Sequence, residues 1–237
     1  MHSLLGSYQD LINGFLKNGY TAEFFRAAET AHGQCLIIRH DIDFDCGYAY
    51  QIAKIENELG VKGSYFFLLR SDSYNLLSAE NTDYVRRIRD DGHDVSLHFD
   101  PTIYGEDFLE GFKREREIFE NIFDVKIEII SLHRPNDFFL NYDELLGEVE
   151  HTYQNKYFRE IKYISDSQGM FRYGHPLETE EFRARKTIHL LTHPIWWVGK
   201  GRSNIAILKK HISERQALMD AHVAKNCIPY QNYLESK

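Results

Sequence analysis

Cysteine is scarce, and what there is does not pair. Cys35, Cys46 and Cys227 are odd in number and form no Cys-x-x-Cys, so the 237-residue chain has neither a disulfide framework nor a thiolate zinc knuckle. Positive charge is also short. Lys and Arg total 28 against 36 Asp and Glu, a formal net charge of -8, which speaks against a sequence-independent nucleic-acid partner or an anionic membrane surface. No run approaches the roughly 18 apolar residues of a membrane span. The opening Met-His-Ser-Leu-Leu-Gly-Ser-Tyr lacks a basic n-region and a long apolar h-region, so a cytoplasmic protein with free thiols is expected. Internal repeats, low-complexity segments and linkers are missing too, and one domain over 1–237 is the expectation.

Hydrophobic periodicity supplies the elements. Residues 4–30 carry Leu4, Leu5, Tyr8, Leu11, Ile12 and Phe15 near helical spacing, with a break at Gly19, and 1–33 reads as a helical cover. Helices are expected over 47–59, stopped by Gly60, over 80–91, over 106–123 with Leu109, Phe112, Phe119 and Phe123 on one face, and over 203–224. Short apolar strands at 35–38, 63–69, 93–98, 126–133, 163–165 and 187–192 alternate with them. This alternation predicts a parallel sheet with right-handed crossovers and a site at the C-terminal strand ends. Residues 35–200 form the motif-bearing part and 203–237 a closing helix and tail.

The chain turns on Cys35 to Cys46, where Leu36, Ile37 and Ile38 lead into Arg39, His40, Asp41, Ile42, Asp43, Phe44 and Asp45. An extended segment places Asp41 and Asp43 on one face and Ile42 on the other. Paired carboxylates at a strand tip hold a cation or take a proton beside one. Asp45 reads more simply as the cap of the next helix. Twelve histidines are many for this length, and further strand ends carry reactive groups: Gly-His-Asp-Val-Ser-Leu-His at 92–98, Leu-His-Arg-Pro at 132–135, Ser-Asp at 165–166 and Leu-Leu-Thr-His-Pro at 190–194. One histidine alone is more often a satisfied structural residue than a ligand. Parallel topology, however, brings these tips to one rim.

Taken in order, these motifs resemble those of the polysaccharide deacetylases, the NodB-homology or carbohydrate esterase family 4 group, over about residues 35–200. The His-Asp-Ile-Asp tip is closest to the branch reading His-Asp-Val-Asp, and is similar to lipid-linked formamido-arabinose deformylases. The resemblance implies an irregular (β/α) barrel with about seven parallel strands, a divalent metal, most often Zn2+, and hydrolysis of an N-acyl group on an amino sugar. It makes Asp41 the general base, Asp43 and His98 metal ligands, His193 the acid that protonates the leaving amine, and Asp166 the acid that orients His193. The family's next histidine ligand falls at Thr102, a poor zinc ligand. His133 is the replacement expected, with Asp100 as alternative. The family's third-motif arginine is displaced, leaving Arg39 or Arg134 to pair with Asp41.

Zinc lowers the pKa of bound water from about 15.7 to about 7, worth roughly 12 kcal/mol, so Asp41 would face a modest proton transfer. Tyr74, Trp196 and Trp197 are expected at the rim, where aromatic faces suit a sugar ring. Neighbours on a strand face opposite ways, so one tryptophan is expected in the site and one in the core. Segments 136–162 and 167–186 are the expected carriers of specificity. The substrate implied is an N-acetylated or N-formylated amino sugar, free, nucleotide-linked or lipid-linked, in surface-polysaccharide, lipopolysaccharide or O-antigen biosynthesis. A non-catalytic sugar-binding relative and a metal-dependent phosphoesterase are the competing readings. The latter calls for a second metal and more ligands.

Overall fold

The computed structural model describes residues 4–30 and 34–236. In chain order its elements are α1 (Tyr8–Lys17), β1 (Thr21–Ala22), α2 (Phe25–Thr30), β2 (Cys35–Ile42), α3 (Cys46–Leu59), β3 (Ser64–Phe67), α4 (Ala79–Asp90), β4 (Asp94–Phe99), α5 (Phe108–Phe123), β5 (Ile129–Leu132) and α6 (Asp137–Leu140). They continue as β6 (Glu150–His151), α7 (Asn155–Phe158), β7 (Lys162–Ser165), α8 (Glu180–Arg183), β8 (Ile188–Thr192), α9 (Ile195–Val198), α10 (Asn204–Asn226) and α11 (Ile228–Glu235). The sheet runs β6-β5-β4-β3-β2-β8-β7, with β1 added beside β2, and every ladder is parallel. It curls into an open (β/α) barrel of seven strands.

All eight residues of β2 are buried, as an apolar central strand requires. Register sets the two faces. Ile37, Arg39 and Asp41 pair laterally with His189, Leu191, Ser64 and Phe66, so these side chains share the barrel interior. At its N-terminal end the interior is plugged by Phe25, Ile37, Phe66, Ile129 and Tyr157. Phe25 meets the rings of Tyr157 at 5.0 Å and His189 at 4.9 Å. The other sheet face carries the larger core under α1, α3, α4 and α5. Gly60 closes α3 at φ +70°, where a side chain would be strained.

Four expectations need correction. The N-terminal cover, whose residues 1–3 and 31–33 lie outside the described part, is broken by β1, which pairs Thr21 with Cys35 and Ala22 with Leu36. β6 was not expected, because a two-residue strand leaves no periodicity. Leu109 is 40% exposed and falls off the buried face of α5. Trp196 and Trp197 sit on α9, a helical turn, so the alternation argued from a strand does not apply.

Candidate active site

The tips of β2, β4, β5 and β8 converge on the C-terminal rim. β2 presents Asp41 and, one residue past its end, Asp43; β4 presents His98; His133 and His193 each follow directly on β5 and β8. Asp43 Oδ1 lies 3.2 Å from His98 Nε2 and 3.4 Å from His133 Nδ1, and the two ring nitrogens stand 3.0 Å apart. That carboxylate oxygen is buried without a hydrogen bond of proper geometry. Three lone-pair atoms thus converge where an ion fits. Ligands at about 2.0–2.1 Å from a tetrahedral zinc stand roughly 3.3 Å from one another, and two imidazoles with one carboxylate form an open three-ligand set. Burial pushes the Asp43 carboxyl up, but contacts with His133, His98 and His193 hold it well below the usual range.

Asp41 and His193 flank this group. Asp41 Oδ2 is 3.7 Å from His98 Nε2, and His193 Nε2 is 3.8 Å from Asp43 Oδ2. Arg39, fully buried, grips Asp41 with two hydrogen bonds, Nε to Oδ1 at 2.9 Å and Nη2 to Oδ2 at 2.7 Å. Ser131 donates to Asp41 Oδ2 at 3.1 Å and accepts from Arg39 at 2.6 Å, while the guanidinium stacks 4.9 Å from the Tyr153 ring. Burial pushes the Asp41 carboxyl up. Arg39, His98 and His193 outweigh it and bring the pKa down to about 2.

Asp166 organises His193. It accepts from the His193 backbone N–H at 3.0 Å, from His193 Nδ1 at 2.6 Å and from Trp197 Nε1 at 2.7 Å. Asp166 is completely buried, and its charge acts at short range. Burial lowers the His193 pKa, but Asp166, then Asp43 and Asp41, raise it to about 9. Beside this pair opens a cavity of about 410 Å3 lined by Trp196, Ser167, Gln168, Asn204 and Leu208.

Several expected site residues stand elsewhere. Asp100 caps a short 3-10 turn, accepting from Thr102 N at 3.0 Å and Thr102 Oγ1 at 2.5 Å, and lies outside the Asp43, His98, His133 group. Arg134 is exposed in a turn at φ +47°, and Arg39 holds Asp41 instead. Tyr74 is 4% exposed, and its hydroxyl bridges Leu68 N at 2.9 Å and Ile42 O at 2.7 Å. The hydroxyl is spent on the backbone as a structural clamp. Trp196 lines the cavity, whereas Trp197 serves Asp166. His40 points to the outer sheet face, where it meets Glu56 at 2.9 Å and Thr192 at 2.7 Å. Asp45 does cap α3, accepting from Gly47 N and Tyr48 N.

Sequence reasoning missed Ser131 and Tyr153. Ser131 was findable, being two residues before His133 on the same strand face. Tyr153 lies in an irregular stretch without a periodic signal.

No family model matches the chain. No curated protein matches it either. Among solved structures it is similar to a family 4 carbohydrate esterase from Bacillus anthracis, with 14% identity over 87% of this chain and 85% of that one, at a TM-score of 0.46. It is also similar to the chitin deacetylase from the fungal pathogen Colletotrichum lindemuthianum, with 15% identity over 74% and 81%, TM-score 0.44. A third is the catalytic domain of a peptidoglycan N-acetylglucosamine deacetylase from Eubacterium rectale, with 15% identity over 79% and 86%, TM-score 0.47. Identities this low transfer no residue's role.

Proposed function

We propose that the protein is a metal-dependent hydrolase that removes an N-acyl group, acetyl or formyl, from an amino sugar serving as a precursor of a surface polysaccharide. The observation that carries this reading is a base and an acid of opposite character on either side of one three-ligand group: Asp41 with a pKa of about 2 and His193 with a pKa of about 9. Asp43, His98 and His133 would hold the ion. Bound there, a divalent metal, zinc by its donor set, supplies Lewis acidity that polarises a carbonyl and acidifies water.

The chain's own groups then divide the proton transfers. Asp41 is ionised at neutral pH, and Arg39 and Ser131 fix its orientation, so it accepts the proton of the attacking water. The water oxygen bonds to the amide carbon, the C–N bond breaks, and His193 Nε2 gives its proton to the departing nitrogen. The products are a carboxylate and an amine. Trp196 and Leu208 supply an apolar wall for a sugar ring, with Ser167, Gln168 and Asn204 as polar neighbours. A phosphoesterase using two metals is disfavoured, since the described residues contain one such group.

The test is amine release from N-acetyl and N-formyl amino sugars by zinc-loaded protein, with Asp41→Asn and His193→Ala alongside. Turnover by wild type and losses on the order of 10²- to 10⁴-fold in each variant are expected. Bound metal without turnover on any N-acyl sugar would overturn the proposal.

A further inference from the structure

Three hollows join end to end beside the rim. The 410 Å3 cavity at Asp43 and His193 shares Phe44 and Leu208 with a second of about 550 Å3, which runs over His211, Ile212 and Arg215. Asp72, Arg215 and Met219 are shared in turn with a third of about 720 Å3 that reaches Arg70, Asn75 and Ile103. Together they form a trench between α10 and the loop after β3. Leu208 and Arg215 are separated by about 10 Å of helix rise, enough for a sugar ring followed by a further group.

The walls carry two kinds of chemistry. Ile103, Ile212 and Met219 are 44%, 63% and 61% exposed, an apolar strip held open to water. Arg70 and Arg215 face the same hollow. Arg70 rides over the Tyr104 ring at 5.4 Å, and among the described residues neither it nor Arg215 has a carboxylate within ion-pair distance. Asp72 is the one carboxylate lining that hollow, so its wall is net positive in a chain of net charge -8. A neutral polysaccharide offers two guanidiniums no opposite charge, whereas a phosphate ester accepts charge-assisted hydrogen bonds from both.

We infer that the trench is a subsite for a phosphate or diphosphate ester on the anomeric carbon of the amino sugar, read by Arg215 and Arg70. This rests on the amino-sugar reading above and narrows it to a phosphate-linked substrate. The apolar strip then underlies whatever the phosphate carries.

Calorimetric titration of the zinc-loaded protein would compare N-acetylglucosamine with its 1-phosphate, with its uridine diphosphate ester, and with a polyisoprenyl-phosphate ester in detergent micelles. The phosphate esters are expected to bind at least about 10-fold more tightly than the free sugar. Arg215→Gln and Arg70→Gln should each erase most of that preference, while Lys225→Gln, outside the trench, leaves it intact. Tighter binding of the nucleotide ester identifies a soluble carrier, and tighter binding of the micellar ester a lipid one. Equal affinity for free and phosphorylated sugar, no binding of any phosphate ester, or a preference that survives both arginine variants would overturn the inference. Failure of the hydrolase reading looks different: the phosphate preference stands, but no N-acyl sugar releases amine.

Discussion

Replacing Asp166 by Asn keeps the shape of the His193 clamp and removes its charge. His193 is raised from 6.5 to about 9 against a burial penalty, and Asp166 is its largest raising influence, through both charge and hydrogen bond. With the charge gone, Asp43 and Asp41 are the carboxylates left to oppose burial, and the pKa should fall by about 2 units, a change of about 2.7 kcal/mol in favour of the neutral ring. At pH 8.5 the protonated fraction then drops from roughly three-quarters to about 3%, so the general acid is lost about 25-fold, whereas at pH 6.5 the loss from this cause is under about twofold. The pH profile of amine release should therefore keep its acid limb and lose its alkaline shoulder. Titration of the His193 ring by NMR in metal-free protein checks the same shift without a substrate. The sign also reaches stability. A raised pKa stabilises fully below 6.5 and is lost as pH rises through about 9, so metal-free wild type should weaken over that window and Asp166→Asn should not. A His193 that still titrates near 9 in the variant, or an unmoved alkaline limb, would refute the reasoning.

Elemental analysis should find about one zinc per chain, lost in Asp43→Ala, His98→Ala and His133→Ala. Asp100→Ala should keep the metal and sacrifice only its turn, at about 0.5–2 kcal/mol. Arg39→Met strands a buried Asp41 carboxylate, and the cost of about 3–5 kcal/mol should lower Tm on the order of 10 °C; an unchanged melting curve would show that Asp41 does not depend on Arg39. Tyr74→Phe unmakes two buried backbone contacts and should cost about 1–3 kcal/mol while leaving KM untouched, since the hydroxyl it removes is spent on the backbone. A raised KM at full stability would restore it to the site.

Much of the fold was legible because each element carries its own period. The apolar run into β2 and the glycine stops after α3 and α4 are local facts, and parallel pairing follows from strands separated by helices. The gathering of Asp41, Asp43, His98, His133, Asp166 and His193 at one rim follows from that topology, as does Asp45 as a cap. Elements without periodicity, β1 and β6, left no trace of this kind.

What lay beyond the sequence concerns choices between residues of equal local merit. Arg39 and Arg134 are both next to a motif histidine, and only the barrel interior, which swallows one and leaves the other in a solvent-facing turn, decides which meets Asp41. Asp100 and His133 compete for the same ligand role until a 3-10 turn claims the carboxylate. Tyr74 and the paired tryptophans read alike as aromatic platforms, yet packing spends the Tyr74 hydroxyl and the Trp197 indole on internal hydrogen bonds and leaves Trp196 to the cavity. Sequence by itself determined the order of the longer strands and helices and the chemical groups at the strand tips, because periodicity and turn chemistry act between near neighbours. Tertiary structure decided which of those groups meet, because distance across the barrel depends on register and curl, and these arise only when the whole sheet is packed.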